Sequence, residues 1–231
     1  MEKPNKYSPP RKRDAKDYMV AAARAGLALI PDVGGVASAL LGFLVTPSLE
    51  KRKSKWMTEV GQALLDIENR LDSLENLQSK EGFIDVAIEA TRIALSTNQE
   101  ELHSALKNAV LNSAISESVD GAKQKMFLHF LDTSTEWHIM FIKLFDEPEH
   151  YMRINKIALG NILMGGITDL IEAAFPQLRG QDEFSGAIWN DIFSKKLFNT
   201  PSIHGTMSRD GIVSRRTTEL GRDFLKFIEF S

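Results

Sequence analysis

Apolar residues recur at helical spacing over most of this chain, and proline, glycine and capping residues separate the segments they define. The first segment runs from Met19 to Val45 and is interrupted by Arg24, by Pro31-Asp32 and by Gly34-Gly35, before Thr46-Pro47 closes it. The break predicts two short helices, about Tyr18 to Ile30 and Val36 to Val45, joined by a tight turn. Each arm of this helical hairpin would be about 15–20 Å long at ~1.5 Å per residue, short of a bilayer core of about 30 Å. The uncharged run Val33 to Leu49 reaches the lower limit for a spanning helix, but Gly34, Gly35 and Pro47 argue against one. Small residues four apart, Ala22/Gly26, Gly35/Ala39 and Ser38/Gly42, suit close helix contact in a membrane or in a tight core.

From Ser54 the pattern becomes that of a long amphipathic helix, with Trp56, Val60, Leu64, Ile67, Leu71 and Leu74 on one seam. Phe83, Ile84, Ala87, Ile88, Thr91, Ala94 and Leu95 line the next predicted helix. Thr97 and Glu100 form a T-x-x-E capping box that opens a helix bearing Leu102, Leu106, Val110 and Leu111. A helix with Met126, Phe127, Phe130 and Leu131 follows, and a second box at Thr133 and Glu136 opens the helix of Trp137, Met140, Phe141 and Leu144, which Pro148 ends. Tyr151 to Phe175 predicts further helix, loosened by Gly160 and Gly165-Gly166.

The last fifty residues change character. Phe184 to Phe198 predicts an amphipathic helix and Thr218 to Phe230 a terminal one. Between them Asp210-Gly211 separates two short candidate strands, His204 to Met207 and Val213 to Thr217, a hairpin signal. The predicted fold is therefore mainly α: a basic flexible arm over residues 1–17, a helical bundle over 18–175 that includes the apolar hairpin at 18–46, and a winged-helix-like module with a short β-hairpin over 180–231.

Composition narrows the function. The chain has 231 residues, 43% hydrophobic and 26% charged, enough apolar material for a sizeable core. It has no cysteine, which excludes disulfides, thiolate metal sites and a cysteine nucleophile; with no signal peptide the expected compartment is the cytoplasm, with a peripheral place at an inner membrane as the membrane variant. The net charge of −3 offers no global attraction for nucleic acid or anionic lipid, so such binding needs a local patch. Two patches qualify. Arg11, Lys12 and Arg13 precede the apolar segment and Lys51, Arg52 and Lys53 follow it, which makes them, with Leu40, Leu41, Phe43 and Leu44, candidates for contact with anionic membrane. Lys195, Lys196, Arg209, Arg215 and Arg216 are the nucleic-acid candidates of a winged-helix end, although residues 180–231 hold acids and cations in equal number.

No catalytic signature is present: no G-x-x-x-x-G-K-[ST], no G-x-G-x-x-G, no H-E-x-x-H and no G-x-S-x-G. No two of the five histidines lie at i, i+3 or i+4, so neither a metal nor a cofactor is expected, and His129 and His138 read as hydrogen-bonded core or rim residues. The acids Asp146, Glu147 and Glu149 around Pro148 read as a solvated loop, and no small-molecule substrate is evident.

The glycine-bearing apolar segment leading into TPSLEKRKSKW, followed by ELHSALKNAVLNSA, EWHIMFIKLFDEP and TTELGRDFLKFI, resembles bacterial proteins of the abortive-infection alpha type. The resemblance implies a part in phage defence and transfers no functional residues. Two classes of function follow: a non-enzymatic effector that perturbs anionic membranes through the hairpin, and a soluble regulatory or scaffolding protein whose C-terminal end meets a protein partner, a second copy or DNA.

Overall fold

The structure, a computed structural model, describes residues 47–67, 77, 80–115, 119–160 and 163–230. The basic arm and the apolar hairpin lie outside the described residues, with Arg11, Lys12, Arg13, Leu40, Leu41, Phe43 and Leu44. What is described is mainly helical, with a single two-stranded antiparallel ladder, and it divides into two compact units between Ile88 and Glu89.

In the first unit, helix α1 spans Pro47–Asp66 and places proline at the first helical position, where its missing N–H is not needed. Trp56, Leu64 and Ile67 of the predicted seam are buried and Val60 is half-buried; Leu71 and Leu74 lie outside the described residues. Helix α2, Glu81–Ser96, contains the division between the units. Its fully buried residues, Val86, Ala90, Ile93 and Ala94, overlap the predicted face only at Ala94. The apolar stripe is wide enough that periodicity alone misplaced its centre.

The second unit holds α3 (Glu100–Ile115), α4 (Gly121–Thr133), α5 (Glu136–Asp146), α6 (Pro148–Ile154), α7 (Ile167–Ala174), α8 (Asp182–Ser194), α9 (Arg209–Ile212) and α10 (Glu219–Ile228). At its centre is α5, where Ile139, Phe141, Ile142, Leu144 and Phe145 are all 0% exposed. Helices α3, α6, α8 and α10 pack around it. Phe145 meets Trp189 edge-on at 4.9 Å and Phe198 at 6.0 Å, while Phe141 stacks on Phe175 at 5.9 Å. Phe127 and Phe130 of α4 pack edge-on against Phe224 of α10 at 5.4 and 5.3 Å. Such pairs contribute about 0.5–1.5 kcal/mol each beyond area burial. Helix α10 is part of this core, and residues 89–231 form one compact unit.

Both predicted capping boxes are corrected. Thr97 Oγ1 accepts from the Gln99 N–H in a local turn, and α3 begins at Glu100. Thr133 ends α4, its hydroxyl turned back to the Phe130 carbonyl, and the cap of α5 is Thr135. Pro148 does not merely end α5; it is the first residue of α6.

The predicted hairpin is also replaced. Asp210-Gly211 lies inside α9, which Ser208 caps by accepting the Gly211 N–H at 3.3 Å. This local serine bond competes with the tight turn that the dipeptide would otherwise form. Strand β2, Met207–Ser208, pairs instead with β1, Met164–Gly165, in the register Met164 to Ser208 and Gly165 to Met207. Thr217 bridges Phe198, and neighbouring backbone bonds run from Asn199 N to Arg216 O and from Thr218 N to Leu197 O. Pairing with distant segments satisfies the backbone groups that the hairpin would have paired locally.

Two devices dock α10. Asn112 Nδ2 lies within 3.0 Å of the carbonyls of Lys226, Phe227 and Glu229, and Asn108 Nδ2 donates to the Ile228 carbonyl at 2.9 Å, so α3 satisfies the acceptors that a helix C-terminus leaves unpaired. At the other end Gly221 sits so close to the Leu197 carbonyl that an added Cβ would lie 2.4 Å from its oxygen.

Gly221→Ala should therefore lower the unfolding free energy by about 1–3 kcal/mol, as overpacking does. Gly186→Ala in α8, whose Cβ would meet only Ile203 at 3.8 Å, should raise it by about 0.5–1 kcal/mol. Urea unfolding of both variants checks the contrast.

Candidate functional site

The sequence proposed two charged surfaces. On the membrane side, Lys51 and Arg52 are exposed in the early turns of α1 and Lys53 is half-buried; Lys55, with a side chain 67% exposed, extends the basic face and reaches Glu59 at 3.7 Å. An exposed pair of that kind holds its partners weakly, so these cations stay available to an external anion. Among the described residues no helix is long and apolar enough to cross a membrane.

The C-terminal cations fare differently, because the fold engages four of the five. Arg209 Nη1 donates to the Gly160 carbonyl at 2.7 Å. Arg215 Nε donates to the Asp146 carbonyl at 2.7 Å and its Nη2 to Glu147 at 3.0 Å. The Arg216 guanidinium reaches Thr200 Oγ1 at 3.3 Å, Met207 Sδ at 3.1 Å and the Gly211 carbonyl, with no carboxylate beside it among the described residues. Burial pushes its pKa below the ordinary value, and its Nε is buried without a hydrogen-bond partner among the described residues. Lys196, at φ 62°, occupies the left-handed position of a Schellman motif in which Leu197 N bonds Ile192 O at 3.2 Å and Lys196 N bonds Phe193 O at 2.9 Å. Its Nζ lies 5.3 Å from the Phe193 ring centroid. Lys195 caps α8 and is half-buried. The cluster is thus tied to neighbouring backbone and side chains while Lys196, Arg209 and Arg215 remain exposed.

One open cleft of about 300 Å³ lies where α5 meets α6, lined by Asp146, Glu147, Pro148, Glu149, His150, Val213 and Arg215. The acids expected in a solvated loop are here on helix ends, and Asp146 also accepts from the Thr217 hydroxyl. Arg215 neutralises part of their charge. Among the described residues no group of three acids and histidines is placed to hold a metal ion.

The most constrained titratable residue is His138, 5% exposed and at the third position of α5. Its Nδ1 accepts the Thr135 backbone N–H at 3.0 Å, taking the part a glutamate plays in a capping box, and Thr135 Oγ1 also lies 3.0 Å away. Nε2 faces Asp191 Oδ2 of α8 at 3.4 Å, and the ring meets Phe130 edge-on at 5.8 Å. A backbone N–H can only donate, so the neutral ring carries its proton on Nε2. Burial pushes the pKa of His138 below its ordinary value against the smaller, opposing pull of Asp191. His129, by contrast, is exposed. The signal for the His138 arrangement was the spacing Thr135-x-x-His138, which the overlapping Thr133-x-x-Glu136 obscured. Comparison with family models, with curated proteins and with solved structures returns no match.

Arg216→Met, which removes three donor contacts at one point, should lower the unfolding free energy by about 1–3 kcal/mol. Lys195→Ala should stay within about 0.5 kcal/mol, and denaturant unfolding distinguishes the two.

Proposed function

We propose that this chain is a non-enzymatic bacterial helical effector that perturbs anionic membranes, with the apolar segment from Met19 to Val45 as its inserting element. The observation that carries the reading is the exposed basic face of α1, Lys51, Arg52 and Lys55, directly after that segment in sequence. A second cluster, Arg11, Lys12 and Arg13, stands on its other flank. Each such cation near an anionic surface contributes about 1 kcal/mol, enough in combination to hold an apolar segment at the headgroups. The resemblance to abortive-infection alpha proteins supports a place in phage defence, with the chain cytoplasmic and peripheral at the inner membrane. The mechanism is insertion, and it needs no cofactor and no covalent step.

Vesicle flotation and dye leakage with the full chain test this. Anionic vesicles should bind the protein and leak, neutral ones much less. Lys51→Glu with Arg52→Glu should weaken binding roughly tenfold or more. Leu40→Glu with Phe43→Glu should abolish leakage in a protein whose circular dichroism is unchanged. Equal binding to neutral and anionic vesicles, or full leakage by the Leu40/Phe43 variant, would sink the proposal.

A second reading, a regulatory or scaffolding protein, is favoured by Leu163 and Met164, 88% and 68% exposed beside and on β1. It assigns the C-terminal end to a protein partner or a second copy rather than DNA. Sedimentation velocity checks the homo-oligomeric form. Self-association that rises with concentration and is lost in Leu163→Asp supports it, and a monomer at all concentrations removes it.

A further inference from the structure

Helix α5 begins without a conventional acidic cap. Its first N–H groups are held from two sides: Gln99 Oε1, at the start of α3, accepts the Glu136 N–H at 2.7 Å, and His138 Nδ1 accepts the Thr135 N–H at 3.0 Å. The second bond exists only while Nδ1 has a lone pair. The groups around the ring are few. From α4 comes the edge of Phe130, from α8 the carboxylate of Asp191, and from α5's own cap the hydroxyl of Thr135. Asp191 is the one charged group whose field acts on the imidazole among the described residues.

We propose that His138 is an acid-sensitive latch that fastens the start of α5 to the α4–α5 junction when neutral and releases it when protonated. A proton added at Nδ1 converts that atom from acceptor to donor. The new Nδ1–H can turn to Thr135 Oγ1, but the Thr135 backbone N–H then loses its acceptor in a half-buried cap. Asp191 stabilises the imidazolium from the Nε2 side only. At 3.4 Å that contact is long for a charge-assisted bond, and the burial of the ring outweighs it.

The direction of the pH effect follows. The ring takes up a proton less readily in the folded chain than in an opened one, where its pKa is about 6.5. The latch is therefore fully fastened above that value, and stability falls as the pH drops through it towards the lower folded value. The inference is independent of the membrane reading, since it concerns only residues of the second unit.

Two measurements on the full chain test it. The imidazole ¹H–¹⁵N correlations of His138, followed with pH, should show the Nε2–H tautomer at neutral pH and a midpoint below about 6.5. Urea unfolding should show the wild type losing roughly fivefold or more in its folding equilibrium constant, beyond the loss in His138→Gln, between about pH 7.5 and about pH 5.5. Glutamine keeps a capping acceptor at that position but does not titrate in this range. A midpoint at or above 6.5, the other tautomer, or equal losses in the two proteins would overturn the latch. If His138→Gln does not fold, the wild-type titration decides alone.

Discussion

A helix buried on nearly every side is the constraint on which the second unit depends. Five side chains of α5 are wholly inaccessible, and α3, α6, α8 and α10 each need its surface to cover their own apolar faces. The ends of such a helix are satisfied largely by protein groups. Its first N–H groups are met by Gln99 and His138, and at its other end the Phe145 carbonyl accepts the Arg216 N–H at 2.8 Å while the Asp146 carbonyl accepts from Arg215. Polar residues far apart in sequence are thus committed to closing one helix, because an unpaired buried backbone group costs about 1–3 kcal/mol.

This commitment explains how the C-terminal region differs from a detachable module. The segment from Phe198 to Thr218 exchanges backbone bonds with itself and with α5, and α10 is sealed at one end by Gly221 against Leu197 and at the other by Asn108 and Asn112. Arg215 and Arg216 serve as straps across these joints. Arg215 is paired with Glu147 at 3.0 Å, and Arg216 donates to the Gly211 carbonyl.

The helices were legible in the sequence because their apolar spacing is strong and because proline and glycine punctuate it. Leu102, Leu106, Val110 and Leu111 are all buried as the period requires. Helix starts were less legible, since overlapping threonine and acid pairs offer several boxes and only the packing selects among them: Thr133 is used to end α4, which leaves Thr135 to cap α5. The Asp210-Gly211 turn failed for a related reason. A local hairpin signal speaks only for nearby residues, whereas β1 and the Phe198 bridge lie far away in the chain and offered better pairing. Of the candidate sites, Lys51 and Arg52 of α1 are exposed, while the hydrogen bonds of the C-terminal cluster were not legible without knowing which carbonyls it would meet.

Hydrogen exchange along the full chain, measured under native conditions, tests the central place of α5 most directly. The amides from Ile139 to Phe145 should be among the slowest in the protein and should exchange only with global unfolding, as expected where burial is complete. Exchange of α5 as fast as that of the exposed first turns of α1 would contradict the account, because a helix that opens locally cannot be the one against which the others are held.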